Sequence, residues 1–348
     1  MKRLEDCVRG SAYGFDHPLY LQEILWLINE RALTAFVQGR LYDAIPLFNR
    51  ALRVAGQVTD GGETDDSFRA TERRVLLNLA VAEIERGHIG SARRRLEALA
   101  QRDLRTPHST PSLTKELAEG YLGLCDHLSG HLERAEMRYK NVLKSAERLE
   151  SMRTVAIFHR HYADLLRLLK RTEEAQTHLR LATLAAARDE QKDVFQHALI
   201  AQARLYRDIG DRDALKEASR LLDEAERYAR ELGLIKLEVE ALKTRSTIIL
   251  AQGETEQAGR LAARAVGLAN RHGMELHKIS SLMIHGRILL QRGQIDLAHT
   301  VLRQCSSEAD RRGYQLGAIF ADRLLRMSLQ PQDGDELGTI WVKGRSIR

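Results

Sequence analysis

Proline is scarce in this chain, five residues in 348, which leaves room for long uninterrupted helices. Aromatic residues make up only 5%, so the core has to be built from leucine and alanine packed at close range. The three cysteines, Cys7, Cys125 and Cys305, are far apart and odd in number. That argues against a disulfide framework and for a reducing compartment. No stretch reaches the roughly 18 apolar residues needed to cross a bilayer, and the opening MKRLEDCVRG lacks an apolar signal core. The expected location is the cytoplasm. Charge of one sign does not dominate either: a formal +6 with a pI near 9.2 is mild over this length. It admits an acidic partner without demanding nucleic acid.

Catalytic and metal motifs are missing too. The strings G-x-S-x-G, H-E-x-x-H, G-x-x-x-x-G-K-[ST] and C-x-x-C do not occur, which removes a hydrolase elbow, a zinc-protease helix, a phosphate loop and a redox pair. Cys125, His127 and His131 come near ligand spacing, but a helix end at Gly130 separates them. His159 and His161 stand two apart on a helix and point to different faces. The acidic stretch 60–66 lacks the spacing of a calcium loop. No enzyme activity, no cofactor and no metal are expected.

What is present is one short pattern, repeated. A helix-ending turn residue is followed five places later by alanine: Gly39 and Ala44, Gly87 and Ala92, Gly130 and Ala135, Lys170 and Ala175, Gly253 and Ala258, Gly293 and Ala298. Gly210 belongs to the series with Ala218, after a three-residue insertion. Successive turns lie 48, 43, 40, 40, 43 and 40 positions apart. A period of that size marks a solenoid of helix pairs, each burying its apolar face against its neighbours. Seven places before each turn stands a small residue: Ala32, Ala80, Gly123, Ala163, Ala203, Ser246 and Gly286. Nine places after six of the turns come Phe48, Leu96, Tyr139, Leu179, Ala262 and Leu302. Small residues on the first helix let the second approach closely, and the larger ones fill the gap between units. Glycine suits the turn because the residue past a helix end often turns left-handed; Lys170 must make its turn otherwise or at a cost.

These residues resemble tetratricopeptide (TPR) repeats, with Gly39 to Leu52 (GRLYDAIPLFNRAL) looking like that family's turn and second helix. The resemblance covers 18–329 and implies an all-α, right-handed superhelical solenoid of about seven repeats plus a capping helix. An N-terminal segment, 1–17, and a C-terminal tail, 330–348, lie outside it. The repeat, near 40 residues, is longer than the family's usual unit. In this it is similar to kinesin light chains, bacterial Rap-type peptide sensors, and the sensor regions of STAND ATPases and LuxR-type activators.

The resemblance also implies that residues about ten, six and three places before each turn line a concave groove. Those phases carry Arg160, Asp164 and Arg167 in one unit and Arg204 and Arg207 in the next, with His197 one turn upstream. Lys243 and Arg287 continue the series. Guanidiniums in a ladder suit carboxylate or phosphate, which they grip through paired hydrogen bonds. The first two units instead offer Trp26, Asn29, Leu33, Phe36, Leu77, Val81 and Ile84, an apolar stretch that would either form half of the groove or be covered by 1–17. The expected function is capture of a partner peptide, helix or domain, as an adaptor or regulatory subunit. The alternative is a sensor that binds a peptide or small ligand to control an effector. A nucleic-acid-binding array is a third reading, opposed by the acids interleaved through the second helices.

Overall fold

The computed structural model describes residues 18–59, 66–102 and 113–329. Among them lie fifteen α-helices and no strand. They run α1 (Pro18–Val37), α2 (Leu41–Thr59), α3 (Asp66–Glu85), α4 (Ile89–Arg102), α5 (Leu113–Leu128), α6 (Leu132–Arg148), α7 (Met152–Leu168), α8 (Thr172–Arg188), α9 (Lys192–Ile209), α10 (Arg212–Leu232), α11 (Ile235–Ala251), α12 (Thr255–His272), α13 (Glu275–Gln291), α14 (Ile295–Arg311) and α15 (Gln315–Leu329). Each odd-numbered helix up to α13 is the first of a pair, and α15 closes the stack alone. The segments 1–17 and 330–348 fall outside the described residues, as do most of the loop 60–67 and all of 106–111.

The packing follows the small-residue rule. Ala32, Ala80, Ala163, Ala203 and Ser246 are buried, as are Phe48, Leu96, Tyr139, Leu179, Ala262 and Leu302. A Cβ placed on Gly286 would stand 2.7 Å from Leu302, and one on Gly123 would stand 3.1 Å from Tyr139. The residue seven before a turn therefore meets the one nine after it. The insertion near Gly210 is absorbed by lengthening α10 to 21 residues, with Asp211 capping its first turn by accepting from the amides of Asp213 and Ala214. Lys170 makes the same left-handed turn as the glycines, at φ 64°, so its turn is not built differently.

The stack also touches itself. The first three turns dock against the starts of α11, α13 and α15, five units further on. At the first, the Ile235 amide donates to the Gln38 carbonyl at 3.1 Å. At the second, Arg86 lies over the Tyr42 ring and reaches the Gly273 carbonyl at 3.5 Å, while Arg312 reaches the Arg86 carbonyl at 3.4 Å. At the third, Ser129 donates to the Gly313 carbonyl at 3.4 Å. Apolar packing joins in, since Val239, Leu242, Ala265, Ala269 and Met274 share one cluster with the side chains of α1 to α3. One superhelical turn is thus closed, and the first helices face its interior.

Candidate functional site

The interior contains a pocket of about 780 Å³, counting the part open to solvent, lined by first helices from six successive units. Phe36 and Val81 come from α1 and α3, and Tyr121 and Leu124 from α5. Opposite them stand Ile157, Arg160 and His161 of α7, His197 of α9 and Lys236 of α11. The first wall is apolar apart from Glu85, and the second sets its charged side chains among Ile157, Val194, Leu234 and Leu237. Of the apolar residues singled out in the first two units, Phe36 and Val81 reach this wall, while Asn29, Leu77 and Ile84 are buried and Trp26 is half exposed. Cover by 1–17 lies outside the described residues.

The eight residues of the series sit on α7, α9, α11 and α13, as their spacing requires, and six of them (Asp164, Arg167, His197, Arg204, Arg207 and Lys243) join contacts that run from helix to helix. Arg167 bonds Asp208 at 2.7 Å and lies 3.6 Å from Asp164. Arg204 stands 3.4 Å from Asp164 and 3.9 Å from Glu240. Arg207 grips Asp208 at 2.5 Å and donates to the Thr247 hydroxyl at 2.9 Å. Lys243 donates to His277 Nδ1 at 3.0 Å and to the Ser280 hydroxyl at 2.8 Å. His197 lies 3.3 Å from Glu240, and Arg160 donates to His161 at 2.9 Å. Arg287, one unit further on, feels the Asp208 charge. The series is therefore not a bare ladder of cations: carboxylates are threaded through it.

Three acids of the interior, Glu85, Asp208 and Glu240, lie outside the ten, six and three phases. Glu85 ties the two ends of the superhelical turn together, accepting from Lys236 at 2.5 Å and from His277 at 3.1 Å. Their positions did carry a signal. Glu85 and Asp208 stand two places before their turns, and His197 and Glu240 stand thirteen before theirs. Long first helices carry the inward-facing stripe beyond the ten, six and three positions, with the helical spacing of three to four intact.

Burial sets the protonation of the interior. It pushes the Lys243 amine down to about 8, with Arg204 adding repulsion. It holds His161 well below its ordinary range, helped by Arg160, and His277 below its range, helped by Lys243. Burial pushes the Glu240 carboxyl up, but His197, His277 and Arg204 outweigh it and keep the group ionised. Asp164 is likewise raised by burial and pulled down further by Arg204, Arg167 and Arg160.

Among the described residues no group of three His, Cys, Asp or Glu side chains is placed to hold a metal. Cys125 and His127 are buried and His131 is exposed, and burial drives the Cys125 thiol up to about 12. No helix among the described residues is long and apolar enough to cross a membrane.

No family model matches the sequence, and none of the curated proteins is similar to it. Solved structures do match. A Rap protein complexed with competence and sporulation factor is 12% identical and aligns over 88% of this chain and 98% of its own, with a TM-score of 0.58. NprR in complex with its cognate peptide NprX is 13% identical over 89% of this chain and 86% of its own, at 0.60. The Rap conjugation gene regulator of the plasmid pLS20, in complex with the Phr* peptide, is 11% identical over 90% and 98%, at 0.54. Likeness at this level of identity shows the fold, a TPR-like helical-repeat solenoid.

Proposed function

We propose that this chain is a regulatory TPR-like solenoid that captures a short peptide or extended segment in its interior and passes its occupancy to an effector protein. The observation that carries this is the pocket itself, which sits inside a closed superhelical turn with a mainly apolar wall facing one that carries charged side chains. First helices of six successive units line it and the enclosed space is small, which suits a few residues of peptide better than a folded domain. An amphipathic segment bearing acidic groups matches both walls. The peptide complexes of the similar structures support the same reading. In this reading the chain works by binding alone, without covalent chemistry.

An occupant would touch α1, α3 and α5 on one side and α7, α9 and α11 on the other. Binding would then bias how those helices sit relative to one another, which is how a ligand shifts an equilibrium between two arrangements. Screening the purified chain against an arrayed peptide library tests the proposal. Bound peptides should be lost from Val81→Trp, which fills the apolar wall, and weakened when Arg160 and Arg207 are both reversed to Glu. Reversal of a desolvated interface charge costs about 2–5 kcal/mol. Exposed second-helix cations such as Arg180 and Arg220 serve as controls. Peptides that bind all these variants equally would show that the interior is not the binding face.

A further inference from the structure

The cations of the interior are not equally provided for. Lys236 rests on Glu85, and Arg167 and Arg207 both rest on Asp208. Arg160 has no carboxylate within ion-pair distance among the described residues; its hydrogen-bond partner is His161, an imidazole kept neutral by burial and by Arg160 itself. Arg160, Arg167, Arg204 and Arg207 share Asp164 and Asp208, and Glu240 reaches this group only through Arg204, at 3.9 Å. Arg160 thus sits in a largely desolvated space with no carboxylate of its own, a costly arrangement for a ligand-free protein.

Unpartnered polar atoms gather at the same place. Arg160 Nε and both Nε and Nη2 of Arg204 are buried without a hydrogen-bond partner, Nη2 meeting Asp164 and Glu240 only as ion pairs at 3.4 and 3.9 Å. So are His127 Nδ1 and the Tyr139 hydroxyl. The His127 and Tyr139 rings lie 6.4 Å apart, and Tyr139 stacks on His161 at 6.4 Å, so these groups form one neighbourhood around α7. Buried polar atoms are nearly always satisfied. All five of these can donate, and the group that would satisfy such a set is rich in acceptor oxygens and negatively charged.

We propose that Arg160 and Arg204, with His161 beside them, form the seat of an oxyanion, a carboxylate or phosphoryl group carried by the ligand of the interior. Arg160 and His161 line the pocket, and Arg204 joins them through Asp164, whose carboxylate feels both guanidiniums. A guanidinium offers two parallel donors to either oxyanion, which gives direction as well as attraction. The proposal rests on the reading of the interior as the binding face, and it adds the chemical group that is recognised there.

The test uses the full chain at constant ionic strength, with inorganic phosphate and N-acetyl-triglutamate as probes and chloride as the balancing ion. At least one probe should raise the melting temperature saturably, and Arg160→Gln and Arg204→Gln should each weaken its binding tenfold or more by calorimetry. Arg180→Gln should leave it unchanged. A stronger response to phosphate identifies a phosphoryl group, and a stronger response to triglutamate a carboxylate. Without any probe, Arg160→Gln should melt at or above the native temperature, because a buried charge lacking compensation has been removed. A lower melting temperature in that variant, an equal response in native and variant chains, or no response to either probe would overturn the seat. A peptide that needs the Val81 wall but binds Arg160→Gln as tightly as the native chain would remove the seat and leave the peptide reading standing. Capture that ignores Val81→Trp would remove the peptide reading itself.

Discussion

Lys170 holds a left-handed backbone, φ 64°, that six other turns of the series assign to glycine. An L side chain there costs about 1–2 kcal/mol, partly offset because glycine would loosen the unfolded chain by roughly 0.4–1 kcal/mol. Lys170→Gly should therefore stabilise the fold by somewhat under about 1 kcal/mol, read as a higher midpoint in urea with an unchanged slope. A second expectation concerns histidine. Burial lowers His127 and His159 to about 4 each, Arg167 adding to the effect on His127 and His178 to that on His159. The unfolded chain binds these protons near pH 6.5 and the native chain only near 4. The native state thus keeps its full advantage above 6.5 and loses it as pH falls toward 4. Each group contributes a slope of up to about 1.4 kcal/mol per pH unit in that window. Denaturant midpoints from pH 7.5 to 4.5 should fall steeply, and His159→Gln should flatten the decline. Glu136, held at about 2 by Lys140, Arg171 and Tyr162 against the opposing effect of burial, acts lower, between roughly 4.5 and 2, so the two effects separate.

At the scale of the helix pair, the decisive contact is the one between the small residue of the first helix and the large residue of the second. It was readable in the sequence because both sit at fixed offsets from a turn in the same unit, within about sixteen positions of each other. Gly286→Val should overpack against Leu302, whose methyl already stands 2.7 Å from where a Cβ would lie. The expected loss is about 1–3 kcal/mol by denaturant unfolding. Leu302→Ala alone should also destabilise, through the cavity it leaves. The double variant should recover part of the Gly286→Val loss, because the added methyls occupy the vacated volume. Simple addition of the two losses would show that the offset does not describe the packing. The inward stripe was only half legible at this scale. Its arginines stood at the expected phases, whereas Glu240 lies a turn of helix upstream of them and Glu85 and Asp208 lie between the last phase and the turn.

At the scale of the whole molecule, Glu85 is the hinge of the closed turn. Its carboxyl feels burial first, which raises it, and Lys236 and His277 then carry it well below the usual carboxylate range. Glu85→Gln leaves Lys236 without its partner across the seam, and breaking a buried pair costs about 3–5 kcal/mol. Both groups keep some solvent contact, so the lower end applies. Scattering should show a larger radius of gyration as the first three turns lift from α11, α13 and α15. Pairing the change with Lys236→Met should restore part of the stability. An unchanged radius in Glu85→Gln would mean that apolar packing around Met274 closes the turn without the charges. Gly39→Ala offers an independent probe of the seam, since its Cβ would lie 2.8 Å from the Lys236 amide and its φ is 81°.

The sequence by itself determined the unit: a helix, a left-handed turn, a second helix, and a small-to-large contact that binds them. Every term of that unit acts over a few turns of helix, so local spacing is enough to specify it. Tertiary structure alone decided that turns meet first helices five units on, bringing Glu85 to Lys236 and His277 across 151 and 192 positions. That register comes from small rotations accumulated over five pairs, and a change of a few degrees in each would move the partner by a whole helix. The same accumulation sets which carboxylate reaches which guanidinium. It therefore left Arg160, unremarkable among the arginines of the sequence, as an interior guanidinium with no acid within ion-pair distance among the described residues.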